Sequence, residues 1–325
     1  MTKEHTTEPP HLLPIKSPPT ILSIGSINLD LVFRGGKLPM PGQTVKAPRF
    51  SMSPGGKGAN QAVAAAKLKA RSLFLGCVGG DRFGAELRKS LEDHGVNTEN
   101  LLTIDDEPSG MAAIHVDAKG ENAIAVTPGA NAYVTPKLIE KNDHLIDAAD
   151  MVMLQLESPV EAVECAIKIA KKKNVPTILD PAPVPEEGVP VELLEATYLT
   201  PNQSELFALT GATVSGAHQT PPVFGALRDQ GAQSIVAKLG ADGASAIGLE
   251  GGAFGVPAFP VVPIDTTAAG DAFNSALAVA LCRDKSLAEA VRFACAAGAL
   301  AATKSGAHTA MPTLDEVEQL ILVNS

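Results

Sequence analysis

Short apolar runs alternate along this chain with longer amphipathic stretches. Residues 20–25, 73–78, 151–156, 177–179 and 234–238 are mostly aliphatic, the pattern of strands buried on both faces. Residues 85–94, 159–173 and 222–230 carry apolar positions at helical spacing, with Pro159 in a predicted first turn. Strand and helix in alternation predict an α/β fold, a mostly parallel central sheet flanked by helices. Two segments, about 31–52 and 110–127, break the alternation: both are strand-like, half polar and punctuated by Gly or Pro. Within the second, 111–117 and 122–126 read as a hairpin across 118–121. Together the two segments predict a small β-sheet outside the main layer. It is either a lid over the crevice at the strands' carboxyl ends or an extension of the sheet edge. Residues 1–19, with five prolines, read as a disordered tail before one α/β domain over 20–325.

Composition narrows the function classes. A folded chain of 325 residues buries roughly 75% of the surface its unfolded form exposes, so it needs no disulfide staples. Lys+Arg number 26 against Asp+Glu 36, a net charge of −10, which argues against a nucleic-acid platform. The absence of Trp and the presence of only two Tyr remove the usual base-stacking surfaces. Local dipoles can still hold a phosphorylated ligand. Cys77, Cys165, Cys282 and Cys295 form no CxxC pair and lie in apolar runs, the usage of reduced, buried thiols. No stretch reads as a bilayer span or a secretory signal, which predicts a cytoplasmic protein without a membrane partner.

Several common chemical signatures are missing. Gly56-Lys57 is followed by glycine and position 51 is serine, so there is no GxxxxGK[ST] loop, and neither HExxH nor GxSxG occurs. Two glycine-rich segments stand out instead. Ser53-Pro54-Gly55-Gly56-Lys57-Gly58-Ala59-Asn60-Gln61 leads into a predicted alanine-rich helix over 62–68. Its glycines let backbone pass close to a ligand, and Asn60 offers a donor and an acceptor to a polyol. Asp265-Thr266-Thr267-Ala268-Ala269-Gly270-Asp271-Ala272-Phe273 leads into a predicted helix over 274–281. Small residues there make a nest of N–H donors, an anion hole. Asp271 at that helix start reads either as an N-cap or as a general base beside a transferring phosphoryl group.

These two segments, 55–62 and 265–274, resemble the N- and C-terminal signatures of the ribokinase-like sugar kinases, the phosphofructokinase-B family. Gly25-Ser26-Ile27-Asn28-Leu29-Asp30, Gly79-x-Asp81-x-x-Gly84, Gln155-Leu156-Glu157-Ser158-Pro159, Asp180-Pro181-Ala182-Pro183 and Thr200-Pro201-Asn202-x-x-Glu205 are also similar to that family. The likeness runs from about Ile21 to Pro312 and is strongest to its ribose-phosphorylating branch. It implies ATP-dependent phosphorylation of the 5-hydroxyl of D-ribose. A fructokinase, deoxyribokinase or nucleoside kinase is the alternative within the family, and a non-catalytic sugar or nucleotide sensor lies outside it.

The resemblance also implies roles. Asp271 is the general base, and the backbone of Ala268, Ala269, Gly270 and Asp271 forms the anion hole. Asn28 and Asp30 at the end of the first strand, with Gly56, Lys57, Asn60 and Glu157, hold the sugar. Asn202, Glu205, Lys238, Gly240, Asp242, Gly243, Gly270 and Cys295 line the ATP site, with Mg²⁺ carried by the nucleotide. Lys238 stands where the family usually has threonine. Asp265, the Thr267 carbonyl, the backbone of Ala301, Lys304 and Gly306, and Ala310, which replaces a serine, correspond to a monovalent-cation site for K⁺. A homodimer through the lids is implied as well.

Overall fold

In the computed structural model, which describes residues 17–118 and 121–324, the apolar runs become strands of one sheet. Residues 1–16 of the predicted tail lie outside the described residues, as do 119 and 120 of the hairpin turn. The chain runs β1 (Thr20–Ile24), β2 (Asn28–Arg34), β3 (Arg49–Gly55), α1 (Lys57–Lys67), β4 (Arg71–Gly79) and α2 (Arg82–Asp93). It continues through β5 (Leu101–Ile104), β6 (Gly110–Val116), β7 (Asn122–Thr127), α3 (Pro136–Lys141) and α4 (Asp143–Asp147). Next come β8 (Met151–Gln155), α5 (Val160–Lys173), β9 (Thr177–Asp180), β10 (Tyr198–Leu199), α6 (Gln203–Thr210), α7 (Thr220–Asp229) and β11 (Ser234–Lys238). Last are β12 (Ala244–Ile247), β13 (Phe254–Val256), α8 (Ala269–Cys282), α9 (Leu287–Ala302) and α10 (Leu314–Val323).

Among the described residues the larger sheet has nine strands in the order β13-β12-β11-β10-β9-β8-β1-β4-β5. Every pair from β11 to β5 is parallel, and β12 and β13 close one edge antiparallel. Alternation along its strands sorts side chains into two cores. Leu22, Ile24, Val152, Leu154, Leu179 and Ile235 pack under α3 to α7. Ile21, Met151, Met153, Ile178 and Val236 pack with α8, α9 and α10. Burial on both faces explains why these strands read as unbroken apolar runs. Order reverses around β1, whose neighbours are β4 and β8, so the crevice opens at the carboxyl ends beside it.

The smaller sheet has the order β3-β2-β6-β7. Its strands extend the predicted segments: β2 begins at Asn28 and β3 ends at Gly55. Asn28 and Asp30 therefore stand on the smaller sheet, not at the end of the first strand as expected. Asn28, Asp30, Val32 and Arg34 share one of its faces by pleat. Phe33, Phe50 and Met52 share the other, where Phe50 and Met52 are 55% and 50% exposed. No helix among the described residues is long and apolar enough to cross a membrane.

Both signature helices start earlier than the sequence predicts. α1 begins at Lys57 rather than 62, and α8 at Ala269 rather than 274. Glycines and charged residues weaken the helical pattern in these first turns, and tertiary packing overrides that weakness. Alanines 59, 62 and 64 of α1 and Ala272 of α8 lie in one buried cluster. Such small side chains let the two helix starts approach closely.

Candidate active site

The polar residues singled out above converge at the carboxyl ends of β1, β8, β9 and β11. Gly56 takes φ +89°, outside the range an L-residue favours, and a Cβ there would meet Asn28 N at 2.8 Å. At Gly55 a Cβ would strike the Asp30 carboxylate at 2.1 Å. Glycine at both positions lets β3 turn into α1 against the Asn28–Asp30 face. Asn60 Nδ2, on the first turn of α1, donates to Asp271 Oδ2 at 2.9 Å. Gln61 Nε2 donates to Asp271 Oδ1 at 3.1 Å. The two signatures, more than 200 residues apart, thus meet through one buried carboxylate.

Asp271 is not an N-cap. Ala268 is the cap of α8, in the left-handed conformation at φ 59°, and Asp271 lies inside the first turn. Burial pushes its carboxyl up to about 6, while Lys57 and the Asn60 and Gln61 amides pull the other way. Ala269 N–H donates to Thr266 O at 3.2 Å, so this member of the expected anion hole is already engaged. Helix geometry leaves the N–H groups of Gly270 and Asp271 without intrahelical acceptors, aimed at the crevice. Of the four residues expected to form the nest, Ala268 caps α8, Ala269 is engaged, and Gly270 and Asp271 remain as its donors.

A second polar centre surrounds Glu157. Its Oε2 accepts from Ser26 Oγ at 2.6 Å, from the Lys57 backbone N–H at 3.1 Å and from Asn28 Nδ2 at 3.5 Å. Asn131 Nδ2 donates to Asn28 Oδ1 at 2.8 Å and orients that amide. Burial, with Glu157 and Asp271 nearby, raises Asp30 to about 7. For Lys57, burial by itself favours the neutral amine, but Asp271, Asp180, Glu157 and Glu205 outweigh it and hold the ammonium charged. The crevice therefore gathers the carboxyl groups of Asp30, Glu157, Asp180, Glu205 and Asp271 around the Lys57 ammonium.

On the far side of Asp271, Lys238 Nζ donates to Asp180 Oδ1 at 2.7 Å. A Cβ built on Gly270 would lie 3.7 Å from the same Nζ. The lysine that replaces the usual threonine is therefore delivered to the anion nest. Asn202 and Glu205 form a reciprocal capping box at the start of α6, so part of their polarity is spent locally. Gly240 and Asp242 make a short 3₁₀ turn ended by Gly243 at φ 87°. Cys295 is buried with α8 and α10, and burial lifts its thiol to about 12, leaving it an apolar wall.

The expected cation ligands are only partly available. Asp265 Oδ1 accepts from Thr267 N–H at 3.0 Å and from Thr267 Oγ1 at 2.6 Å. Its Oδ2 accepts from Arg34 Nη2 at 2.7 Å and from Gly306 N–H at 3.4 Å. Burial alone would raise this carboxyl, yet the Thr267 bonds and Arg34 keep it below the usual range. Ala301 O accepts the Lys304 N–H at 3.1 Å, Lys304 Nζ pairs with Glu316 at 2.7 Å, and Ala310 is a buried methyl.

Sequence reasoning assigned no role to Gln61, Asp180, Asn131 or Arg34. The first two lie inside recognisable motifs, which was the available signal. Asn131 and Arg34 carried none, because their partners lie 103 and 231 residues away.

A model of the pfkB family carbohydrate kinases matches residues 19–314. The chain is 39% identical to ribokinase of Bacillus subtilis over 303 residues, covering 93% of this chain and 99% of the relative. It is 36% identical to ribokinase of Haemophilus influenzae, covering 93% and 98%. The structure of Arabidopsis thaliana ribokinase complexed with ribose and ATP superposes with a TM-score of 0.85. That match is 32% identical and covers 94% of this chain and 99% of the other.

Proposed function

Because the chain belongs to the pfkB family of carbohydrate kinases, we propose that it transfers the γ-phosphoryl group of ATP to the 5-hydroxyl of D-ribose. Asp271 takes the hydroxyl proton as the ribose oxygen attacks phosphorus. The bond to the β,γ-bridging oxygen breaks, and ADP leaves with that electron pair. The N–H groups of Gly270 and Asp271, set by the turn at Ala268, and the ammonium groups of Lys57 and Lys238 balance charge on the transferring group. Asn28, Asp30, Glu157 and Asn60 hold the sugar. Asn60 Oδ1 is buried without a partner, an acceptor suited to a hydroxyl. Asn202, Glu205 and the 240–243 turn flank the nucleotide.

The observation that carries this reading is the buried Asp271 carboxylate, tied to Asn60 of the other signature at the open start of α8. The Arabidopsis relative's ribose and ATP support the choice of substrates. ATP brings magnesium with it, and the ion neutralises phosphate charge when bound. A potassium ion would compete with Arg34 for the Asp265 carboxylate, and Ala310 lacks the side-chain oxygen expected there.

The smaller sheet is the lid, and its exposed apolar face, with Phe50 and Met52, pairs with a second copy in a homodimer. Free thiols at all four cysteines suit a cytoplasmic setting. A competition assay of ribose, 2-deoxyribose, fructose and adenosine with Mg-ATP tests the activity. Preference for another acceptor moves the protein to a sister activity, and no turnover with any of them leaves a sensor.

A further inference from the structure

Arg34 lies at the carboxyl end of β2, two pleat steps past Asp30 on the same face. Its guanidinium leaves the smaller sheet and reaches Asp265, the first residue of the second signature, at 2.7 Å. Asp265 is a junction. One oxygen holds the backbone and hydroxyl of Thr267, which opens the turn into α8. The other joins Arg34 to the backbone of Gly306, just past α9. The Asp265 side chain is 8% exposed while that of Arg34 is 42% exposed, so the carboxylate is fixed in the body and its counter-charge arrives from the smaller sheet. An uncompensated carboxylate at that depth is unfavourable and would loosen the turn that presents the Gly270 and Asp271 N–H groups.

We propose that Arg34 is a positioning residue, a built-in cation that holds Asp265, and through it the anion nest, when the smaller sheet lies over the crevice. It takes the carboxylate oxygen that a free monovalent cation would need, so nest order follows closure of the sheet rather than the salt composition of the medium. The inference rests on the kinase reading above for its activity readout, but not on the identity of the sugar.

The test compares wild type, R34Q and R34K in KCl and in tetramethylammonium chloride at equal ionic strength, with whichever sugar the wild type phosphorylates. Wild-type kcat should change by less than about twofold between the salts. R34Q in tetramethylammonium should lose about tenfold in kcat with KM for sugar and ATP nearly unchanged, a defect in presenting the nest rather than in binding. Potassium should restore R34Q to within about threefold of wild type, and R34K should stay within about threefold in either salt. A second readout needs no turnover: potassium should raise the melting temperature of R34Q and leave that of wild type unchanged. The proposal is overturned by strong potassium activation of the wild type, by full kcat in R34Q without potassium, or by an R34Q defect that potassium neither restores nor stabilises. Loss of ribose activity in favour of another sugar would revise the substrate and leave the salt comparison standing.

Discussion

The two sheets contribute to one crevice by opposite constructions. Strands of the nine-stranded sheet are buried on both faces, and only their carboxyl ends and the helix starts above them are polar. Asp271, Asp180 and Lys238 stand there, each hydrogen-bonded to a partner in the body, with the buried Lys57 ammonium among the carboxylates. The four-stranded sheet carries Asn28, Asp30 and Arg34 on one face, among the apolar Val32, Ala112, Ile114 and Val126, and Phe33, Phe50 and Met52 on the other, where Phe50 and Met52 are half exposed. Rigid support suits groups that must be pre-organised for charge transfer, whereas a thin sheet that can lift suits groups that surround a substrate and exclude water. The body is thus where chemistry is proposed and the smaller sheet where recognition is proposed.

The largest expected effect belongs to the body. Asp271→Asn should lower kcat by about 10²–10⁴-fold, because an amide cannot accept the hydroxyl proton. Ribose affinity measured calorimetrically should stay within about threefold, since the amide fills the same volume. Near wild-type turnover at saturating ribose would remove the base from Asp271.

Acidity should separate activity from stability. Asp271 must be ionised to work, so kcat/KM should fall about tenfold per pH unit once the pH drops below its pKa of about 6. Asp30, at about 7, should begin the decline earlier. Stability of the ligand-free protein should run the other way. Between an unfolded carboxyl value near 3.8 and these raised folded values, the native state binds more protons than the unfolded chain. Unfolding free energy from these groups therefore decreases as pH rises from about 4 to about 7. Urea melts across that window check the sign, and Asp30→Asn should flatten the upper part of the trend.

Recognition by the smaller sheet predicts a gentler discrimination. A sugar lacking one hydroxyl leaves a polar group near Asn28, Asp30 or Glu157 unpaired, at a cost of about 1–3 kcal/mol. Ribose should exceed 2-deoxyribose by at least about tenfold in kcat/KM, and Asp30→Asn should narrow the ratio. Equal efficiency on both sugars would show that this face does not read the 2-hydroxyl. On the opposite face, Met52→Asp should shift a dimer to monomer in sedimentation at micromolar concentration. Its effect on protomer stability should stay within about 0.5 kcal/mol, as Met52 is half exposed.

The smallest effect lies in the turn between the regions. Ala268 holds φ 59°, a conformation that costs an L-residue about 1–2 kcal/mol, partly offset by the larger entropy of glycine in the unfolded chain. Ala268→Gly should raise stability by about 0.5–1 kcal/mol in denaturant melts. A loss of stability would mean that the alanine methyl has packing value exceeding the strain.

Legibility followed burial. β1, β4, β8, β9 and β11 stood out because both their faces are covered, which makes a strand apolar throughout. β10, two residues long, and the edge strands β12 and β13 did not, since so few side chains give no usable period. Asn28 and Asp30 were recognisable by motif but assigned to the wrong strand, because the chain changes sheet within the three residues 25–27 between β1 and β2. Asp271 read equally well as a cap until the turn at Ala268 was seen to fill that position.

By itself the amino-acid sequence determined the layer architecture, the two signatures and most of the residues gathered at the crevice. Apolar periodicity, glycine placement and residue chemistry are local properties, and they are written directly in the chain. Only the tertiary structure decided which groups share protons and charge: Asn60 with Asp271, Lys238 with Asp180, and Arg34 with Asp265. Those pairings join segments 58 to 231 residues apart. Their geometry is set by how two sheets and two helix starts pack, a property of the whole fold that no local pattern encodes.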